Sequence, residues 1–378
     1  MIGSKSRNLA AAVLVAVGLG PCAALAKDVL IADVTELSGG GASNGANWKE
    51  GLELAADEIN TKGGILGHPI KLIHLDTQTN PGTSRAMVQK ALDQEPFAIM
   101  GPIYSGSVKV NMALAQEAAV PQFVGAQAAE LTEMGNGFLF RANISQRTGI
   151  EKIATYLEKD MKAKRVAIVW VNNDFGKGGR DLLTKALRVR GMEVVVDIPI
   201  EYGQLNYSVE VGKIRSSSAD AVFPYMTAED TSRFILEYRK SALTLPLVGE
   251  TTLLQQNVLD VAGSAANGVI CHLSLSANAP GDLMKAFRNK FEQRFKHAPD
   301  HNAISSYTAM YAVKHAAEKA GKLDGNSVAA ALHGLTITTT DEPGILLESS
   351  WDAKGDLRRP SFIGEAVDGK VNVIGRLD

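Results

Sequence analysis

Short apolar runs with strand character alternate with stretches of helical period from residue 29 onward. "VLIADV" is followed by a helix over Asn44 to Lys62, "IKLIHLD", a helix over Pro81 to Glu95, "FAIMG", a helix over Ser105 to Ala118, and "PQFVG". Such alternation predicts a parallel sheet covered by helices. In the first helix Trp48, Leu52, Ala55, Ala56 and Ile59 fall on one stripe, as a core-facing helix requires. The "KGG" at Lys62 to Gly64 supplies a glycine for its left-handed cap.

The rhythm restarts after Thr148. A helix over Gly149 to Lys159 precedes "RVAIVWV", a helix over Lys177 to Arg190, "MEVVVDI", a helix over Tyr207 to Ser216, "ADAVFPY", a helix over Glu229 to Lys240, and "LPLVG". Two α/β units in tandem predict two lobes with a crevice between them. After "GVICHLSL" come helices over Gly281 to Lys296, Ala303 to Ala320 and Ser327 to His333, then a strand-rich tail with tight turns at "DAKGD" and "VDGKV". No Gly/Ser- or Pro-rich linker interrupts the pattern, so short crossovers are expected between the lobes.

The N-terminus changes the compartment. Lys5 and Arg7 precede the apolar run Leu9 to Gly20, and Ala24-Leu25-Ala26 offers a small-residue cleavage site. That is the layout of a secretory signal over residues 1–26, and the run is shorter than the roughly 20 residues of a membrane span. Cys22 invites a lipoprotein reading, but Pro21 stands before it where a small residue is expected. Without residues 1–26 the chain keeps 37 basic against 41 acidic residues, which argues against a nucleic-acid partner. Only Cys271 of the two cysteines survives, so no intramolecular disulfide is expected in an oxidising compartment.

Gly39, Gly41 and Gly45 form G-x-G-x-x-x-G between the first strand and helix, which suggests a dinucleotide fingerprint. The spacing argues otherwise. Four residues, Thr35 to Ser38, separate the strand from the first glycine, and Asp76 lies 37 positions after Gly39 where roughly 20 are expected. The glycines are better read as a strand-to-helix loop at the crevice mouth, with Asn44 and Trp48 as the side chains to test there.

The chain resembles the periplasmic leucine/isoleucine/valine-binding protein family over essentially its whole length. The residues that carry the likeness are "ELSGGGASNGANWKEGLELAADEINTKGGILGHPI", "IMGPIYSGSV", "AAVPQFVGAQAAELTEMG", "RVAIVWVNNDFGKG", "ADAVFPYMTAEDTSRFI", "LPLVGET", "YTAMYAVKHAAEKAG" and "SSWDAKGDL". The resemblance implies a type I periplasmic binding fold, two Rossmann-like lobes joined by three crossovers. One lobe would take roughly 27–146 plus 277–346, the other roughly 147–276 plus 347–378. It further implies a monomeric receptor without cofactor, closing on a small ligand and delivering it to an inner-membrane ABC permease.

Ser105, after a strand and at a helix start, is either an ordinary cap or a carboxylate site built with the first-turn N–H groups. The resemblance implies the second. It also brings in the "GAQAAEL" loop, where Ala126, Gln127 and Ala128 stand; Gln127 replaces a hydroxyl that the family often has. Glu250 would pair with an α-ammonium group, and Phe175, Tyr225 and Thr227 lie where the family has flanking tyrosines. Tyr104 and Thr79 occupy positions where relatives carry a disulfide, which leaves Tyr104 free to face an aromatic ligand. These departures keep two ligand classes open, a branched-chain or related amino acid and an aromatic or other organic acid lacking the amino group.

Enzyme motifs are missing: no G-x-S-x-G surrounds Ser105, and neither H-E-x-x-H nor C-x-x-C occurs. His297 and His301 have the i, i+4 spacing of a metal pair, but Pro299 between them predicts a loop. A gene-regulating sensor on the same fold would act in the cytoplasm, against the signal; an oxidoreductase is the remaining alternative.

Overall fold

The computed structural model describes residues 1–2 and 27–377; the signal expected over residues 1–26, with Cys22, lies almost wholly outside them. Two α/β halves are built. In the first, five parallel strands run in the spatial order Ile70–Asp76, Val29–Thr35, Ala98–Met100, Gln122–Val124, Leu139–Arg141. In the second, Glu193–Ile200, Arg165–Val171 and Ala221–Tyr225 are parallel, and a bridge from Val222 to Leu247 leads on to Val248–Gly249 and Ile270–Leu273. The antiparallel pair Ser361–Val367 and Lys370–Leu377 completes that sheet. The inner strands Val29–Thr35, Arg165–Val171 and Ala221–Tyr225 are buried along nearly their whole length because helices cover both faces, whereas the edge strands Ile70–Asp76 and Glu193–Ile200 are partly exposed.

The periodic segments become the elements they foretell, with ends shifted by a few residues. The first helix is Ala42–Thr61, and the stripe Trp48, Leu52, Ala55, Ala56 and Ile59 is buried. It packs on the helix His301–Ala320, and Gly51 permits the approach: a Cβ there would sit 2.2 Å from the Ala303 carbonyl oxygen. Through this contact a segment far down the chain joins the first half. Asp300 caps that helix by accepting from Asn302 N and Ala303 N. The residues between His297 and His301 form a loop, and His301 itself opens the helix.

The strand Leu139–Arg141 carries no periodic signal, being three residues long. A small antiparallel sheet of Thr336–Ile337, Ser349–Trp351 and Leu357–Arg358 packs against its end. Trp351 Nε1 donates to the Arg141 carbonyl, and Arg141 N donates to that of Gly355. Cys271 is buried and unpaired.

Candidate functional site

In an open parallel sheet, ligands bind off the carboxyl ends of the strands where the order reverses. In the first half that point lies between Val29–Thr35 and Ala98–Met100, and the chain leaves these strands toward Asn44 and toward Tyr104 and Ser105. In the second half it lies between Arg165–Val171 and Ala221–Tyr225, whose exits lead to Asn172–Phe175 and to Thr227. The two ends face each other across a cleft of about 500 Å³. Of the residues singled out in the sequence, Asn44, Tyr104, Ser105, Gln127, Phe175 and Thr227 line it.

The wall from the first half joins the side chains of Asn44, Tyr104 and Gln127 to a stretch of backbone held by buried polar groups. Ser105, Gly106 and Ser107 open the helix Ser105–Glu117 and line the cleft. Their N–H groups are the ones an α-helix leaves without intrahelical partners. Ser105 Oγ accepts from Ala128 N at 3.2 Å, and the hydroxyl keeps its own proton to donate. Behind them the fully buried Arg141 donates to the carbonyls of Ala126 and Ala128, both at 2.6 Å. Its Nε pairs with Asp356, and the Gln127 carbonyl accepts from Gln146 N at 2.9 Å. Every carbonyl from Ala126 to Ala128 is thus turned to a donor outside the cleft. Ala126 and Ala128 are buried beneath the surface that Gly125 and Gln127 present.

A second buried charge shapes the same wall. Glu36, completely buried, accepts from Ile103 N at 3.0 Å and Tyr104 N at 3.3 Å. Burial pushes its carboxyl from the ordinary 4.5 up to about 7, against these hydrogen bonds. Tyr104 lines the cleft with its hydroxyl 3.4 Å from Asn44 Nδ2, and burial raises its phenol well above the usual range.

The wall from the second half is made of side chains. The Phe175 ring lies on Tyr225 at 4.4 Å between centroids, so Phe175 faces the cleft while Tyr225 is buried behind it. Thr227 bonds Asp230 Oδ2 at 2.9 Å from the start of the helix Ala228–Lys240. Glu250 does not line the cleft: its carboxylate is buried against His272 Nδ1 at 2.8 Å. Lys177 lies in the lining, and so does Asp174, which pairs with Lys109 of the first half at 3.1 Å. Asn257 Nδ2 reaches Ser43 Oγ at 3.2 Å, a further contact between the halves.

The glycine run serves this meeting. Gly39 has φ +78, which other residues rarely adopt, and Gly40 lies against Tyr202 so closely that a Cβ would fall 1.9 Å from its hydroxyl. Asp76, the imitation of a ribose acid, instead fastens this loop by accepting from Leu37 N, Ser38 N and the Ser38 hydroxyl. Those bonds hold its carboxyl below the usual range despite partial burial. Thr79 and Tyr104 both flank Gly41, with Thr79 Oγ1 accepting from Gly41 N at 3.0 Å. Trp48 is fully buried, beneath Gly125.

Sequence reasoning passed over Arg141, Glu36 and Tyr202, and also Thr252, Gln255 and Asn302, which line the cleft as well. A buried arginine at the end of a three-residue strand leaves no pattern to read. Tyr202 stands in an unpatterned turn.

The chain is 27% identical over 343 residues to the Leu/Ile/Val-binding protein BraC3 of Rhizobium johnstonii, covering 89% of this chain and 90% of that one. It is 26% identical to an amino acid binding protein of Pseudomonas aeruginosa, with 89% of each covered. Its fold is similar to that of a leucine binding protein from Thermotoga maritima, at TM-score 0.84 and 19% identity, covering 93% of this chain and 99% of the other. It is equally similar to a solute binding protein of an ABC transporter from Rhodopseudomonas palustris in complex with 3,4-dihydroxybenzoic acid, at TM-score 0.85 and 21% identity, covering 93% and 97%. The family model described as periplasmic binding protein matches residues 29–370, and the chain belongs to that family.

Proposed function

We propose that this chain is the exported, periplasmic solute receptor of an ABC transporter, binding a small carboxylate-bearing ligand between its two halves without converting it. One observation carries the reading. The loop Ala126 to Ala128 has its carbonyls tied to Arg141 and Gln146, beside Ser105 and a helix start whose N–H groups open into the cleft. Donors fixed in advance around an empty space favour an anion, because no ordering is needed when it arrives.

Ser105, Gln127 and the N–H groups of residues 105–107 would hold the carboxylate, with Asn44, Tyr104, Phe175 and Thr227 around the rest of the ligand. The names of the relatives favour a branched-chain or related amino acid. A second reading, an aromatic or other organic acid, is favoured by Glu250, which lies outside the cleft with its Oε2 on His272, while Lys177 adds a cation to the lining. Each half supplies part of the shell, so ligand shifts the population toward the closed form that a permease would recognise. The two-lobe division and the monomeric state belong to this proposal. Titration calorimetry with leucine, isoleucine, valine, benzoate and 4-hydroxybenzoate tests it. Saturable one-to-one binding of a carboxylate supports the reading, and silence across the series defeats it.

A further inference from the structure

The cleft holds a second group of polar side chains whose hydrogen-bonding capacity is unspent. Gln255 Oε1, Asn302 Oδ1 and Thr252 Oγ1 are buried without a partner, and all three residues line the cleft. Buried polar atoms left without a partner are costly, so a ligand group that satisfies them is favoured.

The orientation of the two amides follows from what their nitrogens do. Burial pushes His301 below its ordinary range, so its imidazole is neutral. Gln255 Nε2 lies 3.3 Å from His301 Nδ1; an amide NH₂ only donates, so that nitrogen accepts and Gln255 Oε1 stays open. Asn302 Nδ2 is committed to Asp300 Oδ2 at 3.0 Å and Asn44 Oδ1 at 3.5 Å, which leaves Asn302 Oδ1 as the free end. The Asp300 carboxylate is turned inward onto the helix, accepting from Asn302 N and Ala303 N. The group is therefore neutral and rich in acceptors.

Tyr104 relates this group to the carboxylate end. It adjoins Ser105 in the chain, its hydroxyl reaches Asn44, and Asn44 reaches Asn302. A chain of side chains, Tyr104, Asn44 and Asn302, thus leads from the Ser105 loop to the acceptors.

We propose that Gln255, Asn302 and Thr252 form a donor-reading subsite, which accepts a hydroxyl carried by the ligand at the end remote from its carboxylate. This rests on the carboxylate reading of the Ser105 loop and narrows it. A purely hydrocarbon side chain would leave the acceptors dry, whereas a hydroxylated one satisfies them. A site built to bond a hydroxyl rejects the analogue lacking it far more strongly than an apolar pocket separates methyl groups. A cationic end gains less, since no free carboxylate faces it there.

The test uses pairs that differ by hydroxyl against methyl at the end remote from the carboxylate: 4-hydroxybenzoate with 4-methylbenzoate, and 5-hydroxynorvaline with norleucine, titrated calorimetrically into the full mature chain. In at least one pair the hydroxylated member is expected to bind at least about tenfold more tightly. Gln255→Leu and the near-isosteric Thr252→Val should bring that ratio toward one; the second keeps the test alive if the first unfolds, and melting of the unliganded variants checks the fold. Equal binding of both members of every pair that binds, or an unchanged ratio in a folded variant, overturns the subsite alone. If 4-aminomethylbenzoate outbinds 4-hydroxybenzoate, the site reads a cation and the inference is wrong. No binding by any carboxylate would sink the receptor reading together with the subsite.

Discussion

The two walls of the cleft are built on different plans. Beside the side chains of Asn44, Tyr104 and Asn302, the first half presents a stretch of backbone held from behind: Arg141 grips the carbonyls of residues 126 and 128, and Glu36 grips the N–H groups of residues 103 and 104. The second half presents side chains directly, with Phe175 on Tyr225, Thr227 and Tyr202. A main-chain wall has the same chemistry whatever the ligand's identity and suits a group that every ligand shares. A side-chain wall can change identity without disturbing the fold, so that is where one receptor is expected to differ from another.

Breaking the supports of the backbone wall should have the largest effect. Arg141→Met leaves the partly exposed Asp356 without its partner and strips the buried loop carbonyls of their donor, at about 1–3 kcal/mol for each carbonyl left unsatisfied. A lower melting temperature and loss of measurable carboxylate binding are expected, and Arg141→Lys should keep more of the stability than of the binding. Next comes Ser105→Ala, which takes away the acceptor of Ala128 N and a ligand donor. Its affinity loss should be about ten- to a hundredfold by calorimetry, with a modest fall in melting temperature from the stranded Ala128 N–H.

The meeting of the two walls is tested at Gly40. Gly40→Val places side-chain carbon where the Tyr202 hydroxyl sits, so closure is obstructed and affinity should fall by about tenfold. The double variant with Tyr202→Ala should recover much of it, and failure to recover would mean that the two residues do not meet in the liganded form.

A pH profile probes the same wall through Glu36. Burial raises its folded value from 4.5 to about 7, so the folded state binds the proton more firmly than the unfolded chain. Its stabilising contribution is therefore complete below about 4.5 and lost as pH rises through about 7. Chemical denaturation of Glu36→Gln should lack this fall, and parallel profiles for the two proteins would contradict it. The smallest effect on binding is expected of Glu250→Gln for an organic acid, about twofold or less, because the residue does not reach the cleft; a large loss would restore the ammonium reading.

Much of the fold was legible, because alternating apolar runs and amphipathic stretches repeat at every step from Val29 to Gly249. The stripe on the first helix was readable to the residue. What escaped was nonlocal. The role of Arg141 depends on Asp356, more than two hundred positions later, and on a strand too short for any period. The site was half legible for a related reason. Ser105 announces itself as a hydroxyl at a strand-to-helix junction, whereas the direction of the Glu250 side chain is decided by His272, a partner that only the sheet register brings alongside. Tyr225 and Phe175 were both in view, but which of them faces the cleft is a matter of stacking order.

The most direct test of the central claim is a calorimetric comparison of an acid with its own amide, using leucine against leucinamide and 4-hydroxybenzoate against 4-hydroxybenzamide. At least one acid should bind saturably at one per chain, its amide at least about a hundredfold more weakly, and Ser105→Ala should narrow that gap. Equal binding of acid and amide would show that the fixed N–H groups of the first wall do not hold a carboxylate.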